Sequence, residues 1–211
     1  MNIDNAINEA RKLLKNKDIK SFDLDSEILM CKVIQQDRKY IALNLKKTLN
    51  RDAVRYYKDL IDKRLRRIPI AYLIGKKDFW KFEFKVDHNV LIPRPESELI
   101  VEEVLKLSKN KSKLQILEIG VGSGCIILSI LKEKKDFYGT GIDISRKCIK
   151  MSGENTLNLN LNNRLKLIKS DVDNFNIGKY DIIISNPPYI KKLDLKYLEK
   201  DVVGFEPKLA L

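Results

Sequence analysis

The chain has 211 residues, with 41 Lys+Arg against 29 Asp+Glu and a single histidine, giving a formal net charge of +12. That length can bury one large core or two small ones, and the lack of a long uncharged apolar run excludes a membrane-spanning helix. Met1-Asn2-Ile3-Asp4 does not show the basic-then-apolar pattern of a secretory leader, so a cytoplasmic location is expected.

Cys31, Cys125 and Cys148 are odd in number, far apart and outside any CxxC pair, which argues against a disulfide framework or a zinc knuckle. They read as small buried hydrophobes. With His88 the only histidine, His-based triads and multi-His metal sites have no material, and no metal is expected. The positive charge invites a nucleic-acid reading, but it is spread out: residues 1–75 carry 17 Lys+Arg against 10 Asp+Glu, and residues 76–211 carry 24 against 19. Only Lys63-Arg64-Leu65-Arg66-Arg67 is dense, and a solvated helix face explains it as well as a ligand does.

In chain order, Ile3, Ala6, Ile7, Ala10, Leu13 and Leu14 recur at helical spacing, and Ser21 is placed to cap a second helix carrying Leu24, Ile28, Leu29 and Val33. A short apolar segment covers Tyr40 to Leu45, and a longer helix runs from Arg51 through Val54, Tyr57, Ile61 and Leu65 before Pro69 stops it. Residues 1–74 therefore read as a small helical bundle without a catalytic constellation, suited to gripping a partner or capping the next domain. Residues 75–95 read as a β-hairpin linker: Trp80, Phe82, Phe84 and Val86 alternate with charged residues, and Asp87-His88-Asn89 turns the chain into Val90-Leu91-Ile92. Pro93 and Pro95 hold the next segment extended until helical periodicity resumes over Glu96 to Leu107.

From Leu114, short apolar strands alternate with helices, the pattern of a parallel sheet covered on both faces. The first strand, Leu114 to Glu118, ends in Gly120-Val121-Gly122-Ser123-Gly124, and Cys125 to Leu131 is a helix. Alternate glycines let a ligand lie against the backbone at a helix N-terminus, though the spacing is GxGxG and not the GxGxxG of dinucleotide folds. The second strand, Phe137 to Ile142, ends at Asp143, an acid placed to accept from ribose hydroxyls. The third, Arg164 to Ile168, leads to Asp171, which would stand beside a purine amino group if the strands line up.

The fourth run, Tyr180 to Ile184, delivers Ser185-Asn186-Pro187-Pro188-Tyr189. A polar Asn, two prolines and an aromatic at the end of a buried strand make a rigid ledge at the carboxyl edge of a sheet, where open α/β sheets bind ligands. Asn186 offers an acceptor and a donor, and Pro187 has no N–H, so the ledge favours a substrate NH2 group. One such feature is weak evidence; the ordered set at four successive strand ends is specific.

These residues resemble the class I S-adenosylmethionine-dependent methyltransferases: Glu118 with Gly120, Val121, Gly122, Ser123 and Gly124 is similar to their cofactor loop, Asp143 to their ribose-binding acid, and Asp171 with Val172 to the segment beside the adenine. Asn186-Pro187-Pro188-Tyr189 is similar to the catalytic ledge of enzymes that methylate planar nitrogens, with Asn186 also reaching the cofactor. The flanks Pro69 to Gly75, Leu91-Ile92-Pro93-Arg94-Pro95-Glu96-Ser97-Glu98, and Asp201 with Phe205-Glu206-Pro207 resemble the HemK/PrmC family, the glutamine N5-methyltransferases of peptide chain release factors. The resemblance implies an α/β fold with a helical substrate-recognition domain over residues 1–74 and a cofactor domain over 96–211. It also implies S-adenosyl-L-methionine as cofactor and a release factor as partner, whose Gly-Gly-Gln loop enters the site. No membrane and no stable nucleic acid are expected.

Sheets of this class have seven strands, and only four are legible before Leu211. Strands five to seven are expected to be missing, leaving the fourth strand an open apolar edge and making a complementary C-terminal fragment a candidate partner. A nucleic-acid amino-methyltransferase and a truncated, non-catalytic binding remnant remain as alternatives.

Overall fold

The computed structural model describes residues 1–188, 190, 191 and 193–211. The chain packs as two units. One comprises Met1–Ile74 with Glu199–Phe205, the other Gly75–Leu198 with Glu206–Leu211. Residues 199–205, which the sequence pattern groups with residues 96–211, thus pack with the N-terminal helices.

The first unit holds α1 (Ile3–Lys15), α2 (Phe22–Ile34), α3 (Arg38–Leu43), α4 (Arg51–Leu65) and α5 (Ile70–Ile74). Asn2, Asp37 and Asn50 accept from Asn5, Tyr40 and Ala53 N–H at 2.7–2.8 Å, satisfying first-turn amides of α1, α3 and α4. Ser21 precedes α2 but does not cap it through its side chain; its hydroxyl instead donates to Asp25 Oδ2. Ile3, Ile7, Leu14, Ile19, Leu29 and Met30 are each no more than 2% exposed and form the centre of this unit's core.

Arg64, expected on a solvated or ligand-facing basic block, is a core residue at 5% exposure. Its Nε donates to Asp25 Oδ2 at 2.7 Å and its Nη1 to Asp201 Oδ2 at 2.6 Å, Asp201 lying on α9 (Lys200–Phe205). A basic run in sequence does not reveal that one member points inward, because the two acids lie 39 and 137 residues away.

The second unit starts with a hairpin of β1 (Lys76–Phe79) and β2 (Phe82–Lys85), so the turn is Trp80-Lys81 and not Asp87-His88-Asn89. Trp80 takes the left-handed conformation (φ 56°), and the turn is anchored from outside: its N–H donates to Glu98 Oε1 and its indole to Glu133 Oε1. Asp87-His88-Asn89 is a local turn closed on the Asp87 carboxylate, which accepts from the backbone and side-chain N–H of Asn89; Val90 to Ile92 adds no strand.

The alternating pattern beyond is as expected. A parallel four-stranded sheet has the order β5-β4-β3-β6, built from β3 (Gln115–Ile119), β4 (Tyr138–Asp143), β5 (Leu165–Lys169) and β6 (Ile182–Ser185). Helices α6 (Glu98–Leu107), α7 (Cys125–Glu133) and α8 (Arg146–Asn158) complete the unit. Its core centres on Phe79, Phe84, Ile116, Ile127, Leu128 and Phe137. Gly139 and Gly141 let the neighbouring layer lie directly on β4: a Cβ on Gly139 would stand 2.7 Å from Ile127 Cδ1, and one on Gly141 2.8 Å from Val121 Cγ2. β6 pairs with β3 on one side and leaves Ile183 61% exposed. Among the described residues no helix is long and apolar enough to cross a membrane.

Candidate active site

Because β4 and β6 flank β3 on opposite sides, the chain order reverses there, and a crevice opens outside the carboxyl ends of the strands. A cleft of about 400 Å³ occupies this place, within the roughly 300–1,000 Å³ span of small-molecule sites. Gly120 and Gly122 line it from the loop after β3, Asp143 from the end of β4, Asp171 and Val172 from beyond β5, and Asn186, Pro187 and Pro188 from the end of β6. The four strand-end features singled out in the sequence therefore meet in one cavity. Tyr189 lies outside the described residues.

Four other expected cofactor residues are not on the cleft wall but behind it. Glu118 is 2% exposed, and its Oε2 accepts the Ile127 N–H at 3.1 Å, capping the first turn of α7 from within the core. Burial pushes its carboxyl up to about 8, with the Asp143 charge adding to the effect and the Ile127 bond opposing it. Val121 and Ser123 are each 3% exposed. Gly124 N-caps α7 at φ +81°, and a Cβ there would stand 2.9 Å from Leu128 Cδ1.

The hydrogen bonding of the loop decides what it can hold. Gly120 and Val121 N–H both donate to Ile142 O, Gly122 N–H to Asp143 Oδ2, and Gly124 N–H to Val121 O. Four of the five amides are thus spent inside the protein. From the other side, Ser152 Oγ donates to Gly122 O at 2.8 Å and Asn155 Nδ2 to Ser123 O at 2.9 Å. Asn155, 1% exposed, also exchanges hydrogen bonds with the Lys85 N–H and C=O, so one side chain fixes both the loop and strand β2.

A phosphate-binding loop needs free amides aimed at the ligand, and this one has given most of them away. Among the described residues, the charged ones on the cleft wall are Asp143 and Asp171, although the chain carries a net charge of +12. Such a lining favours a ligand without phosphates and with positive charge. The Gly120 and Gly122 conformations, at φ +75° and +54° with at most a loop carbonyl 3.9 Å from a would-be Cβ, leave room for it to lie against the backbone. The Asp143 carboxylate already accepts from Gly122 and Ser145 N–H, at 3.0 and 2.8 Å, so it is oriented before any hydroxyl reaches it.

Asn186 is likewise oriented. One of its two Nδ2 N–H groups donates to Ser97 Oγ at 3.0 Å, which fixes the orientation of the amide and leaves Oδ1 able to accept. Ser97 ends the 3-10 turn Pro95–Ser97 and is 8% exposed; the sequence marked its segment without giving it this task. The cleft also takes in Asn89, Leu91, Ile119, Ile142, Ile144, Ser145, Cys148, Ser170 and Ser185, together with Pro207, Leu209 and Ala210. Ile119, Ile142, Ile144, Ser145, Ser170 and Ser185 are at or just beyond strand ends, Leu91 and Pro207 lie in segments marked by the family resemblance, and Leu209 and Ala210 carried no signal. The three cysteines, expected as small buried hydrophobes, are all only half-buried; Cys148 donates its thiol to Asn89 O at 3.5 Å, and burial pushes the thiol up to about 11.

Comparison with known proteins places these features in a family. Residues 5–75 match the PrmC N-terminal domain and residues 95–201 the methyltransferase small domain. A release factor glutamine methyltransferase from Caulobacter vibrioides is 36% identical over 203 residues, covering 96% of this chain and 70% of that protein. Proteins of the same name from Clostridium acetobutylicum and Buchnera aphidicola are 35% and 37% identical, each over the whole of this chain and 75% of their own length.

Proposed function

Because this chain belongs to the release factor glutamine methyltransferase family, and so is a methyltransferase, we propose that it transfers a methyl group from S-adenosyl-L-methionine to the side-chain amide nitrogen of the glutamine in the Gly-Gly-Gln loop of a peptide chain release factor. Cytoplasm, where translation factors act, is the proposed location. The observation that carries the reading is the pairing of Asn186 with Ser97 at the head of β6, beside a cleft whose charged lining, among the described residues, is two carboxylates.

The acidic wall and the spent loop amides fit S-adenosylmethionine, which bears a sulfonium and an ammonium and no phosphate. When bound, it supplies an electrophilic methyl that the amide nitrogen attacks as the C–S pair withdraws to sulfur, the nitrogen then giving its proton to water. Gly120 and Gly122 offer the backbone surface on which it would lie, and Asp143 the acceptors for ribose hydroxyls. Asp171 and Val172 stand further along the same wall.

The acceptor nitrogen is the harder partner, because an amide lone pair is delocalised. Asn186 Oδ1 and the Pro187 carbonyl are the acceptors proposed to take its two N–H groups and hold the nitrogen in the attacking orientation. Orientation of this kind is worth up to about 7–11 kcal/mol of barrier when the geometry is near attack. The nucleic-acid alternative loses support from its densest basic block, because Arg64 is buried on Asp25 and Asp201.

The test is incubation with labelled S-adenosylmethionine and a release factor, followed by peptide mapping. Label on the Gly-Gly-Gln glutamine is expected. Label elsewhere, or only on nucleic acid, would refute the proposal.

A further inference from the structure

Residues 206–211 form a short strap along the cleft, fastened at both ends. At one end Glu206, whose side chain is 1% exposed, is buried against residues before α6: its Oε2 accepts the Ile92 N–H at 3.1 Å and its Oε1 the Arg94 guanidinium. At the other end, the Ile190 N–H donates to Leu211 O at 3.0 Å, tying the strap to the segment that follows the Asn186 ledge. Between the fastenings Lys208–Ala210 is a single 3-10 turn, too short to hold its shape alone. Pro207, Leu209 and Ala210 line the cleft with Asn186 to Pro188.

Two further facts fix which side of the cleft the strap serves. The glycine loop, Asp143 and Asp171 stand on other strand ends, whereas the strap is tied through Ile190 to the segment that follows the Asn186 ledge. Leu209 lines the cleft and is still 62% exposed, so it stands at the mouth, where a polypeptide would cross. With the Glu206 carboxylate turned away into the Arg94 pair, the strap offers Pro, Leu and Ala to the cleft and no charge, a wall for an uncharged, small-residue peptide segment.

We infer that Glu206 is a positioning residue: through Arg94 and the Ile92 amide it holds the 206–211 strap as the acceptor-side wall, and so sets affinity for the protein substrate without touching the cofactor. The inference rests on the proposed glutamine methylation for the nature of that substrate, though not for the strap's dependence on Glu206.

The experiment compares the parent chain with E206Q and E206A by amide exchange over residues 208–211, binding of S-adenosylhomocysteine, and kcat and KM for a release factor. E206Q retains an acceptor for Ile92 and loses the ion pair, so it guards against a variant that merely fails to fold. The expected result is faster exchange in the strap, a release-factor KM raised about 10-fold in E206A and less in E206Q, and S-adenosylhomocysteine affinity within about 3-fold of the parent. Unchanged strap exchange, or a cofactor affinity that falls in step with KM, would overturn it. If the parent methylates no release factor, the proposed function fails by itself, and exchange with cofactor affinity still decides the strap: faster exchange at unchanged affinity upholds its fastening by Glu206, and unchanged exchange refutes it.

Discussion

The side-chain amide of Asn186 donates to the hydroxyl of Ser97, 89 residues earlier in the chain, at 3.0 Å. The bond engages the amide's donor end on the protein, and in the proposed function its acceptor end meets the substrate. A free asparagine side chain would offer either end to an incoming amide, and the wrong one would compete with productive binding.

Asn186→Ala is therefore expected to lower kcat about 100-fold or more, with S-adenosylmethionine affinity within a few-fold of the parent, because in the proposed function the group acts on the nitrogen in the transition state. Ser97→Ala should do the same in weaker form, roughly 3- to 10-fold in kcat, since Asn186 remains but is free to turn. Steady-state kinetics with a titration of cofactor separates the two effects. A loss of cofactor affinity with unchanged kcat would make Asn186 a cofactor ligand instead.

Asp143→Ala should weaken cofactor binding by about 1–3 kcal/mol, the cost of leaving buried hydroxyls without acceptors. Calorimetric titration with S-adenosylhomocysteine reads this directly. Because Asp143 also accepts from Gly122 and Ser145 N–H, Asp143→Asn, which keeps one acceptor oxygen, should retain part of the affinity. Equal affinity in all three proteins would reduce Asp143 to a strand-end cap.

The Glu118 carboxyl predicts a pH effect on stability. Its value is raised from 4.5 to about 8 by burial, so between those values the folded state holds a proton that the unfolded state has lost. Stability from this group is fully present below about pH 4.5 and is lost as pH rises through about 8. Glu118→Gln keeps an acceptor for Ile127 and removes the titration. Its melting temperature relative to the parent should rise as pH goes from about 5 to about 9. A difference independent of pH would show that Glu118 is already ionised in the fold.

Arg64→Ala should be among the most damaging changes in the helical unit, on the order of 3–5 kcal/mol, because it strands the Asp25 carboxylate at 2% exposure. Lys63→Ala, one residue away with Nζ on Asp59 at the surface, should cost well under 1 kcal/mol. Denaturant unfolding of the two variants checks the contrast, and equal costs would place Arg64 on the surface as its sequence neighbours suggest.

What the sequence determined by itself is what local pattern encodes. Apolar spacing revealed α1, α2, α4, α6, α7 and the four parallel strands to within a residue or two, because period 3.6 and buried β runs are set by which neighbours must share a core, while α8, polar along much of its length, was not singled out. The order of features at the strand ends then placed the cleft, since parallel connections of one hand bring successive carboxyl ends to one edge. The methyltransferase class was legible from the same residues, and the family from the flanking segments Pro69 to Gly75, Leu91 to Glu98 and Phe205 to Pro207.

Tertiary structure decided how each polar group is used. The hairpin turns at Trp80-Lys81, a pair with no turn signature, because Glu98 and Glu133 hold it from α6 and α7, while Asp87-His88-Asn89, which has the signature, makes a local turn on the Asp87 carboxylate outside the hairpin. Glu118 belongs to α7 and the core, Arg64 to Asp25 and Asp201, and Glu206 to Arg94, at separations of 9, 39, 137 and 112 residues. Hydrogen bonds and ion pairs act over about 3 Å, and which donors come within that reach of which acceptors is fixed only when the elements pack.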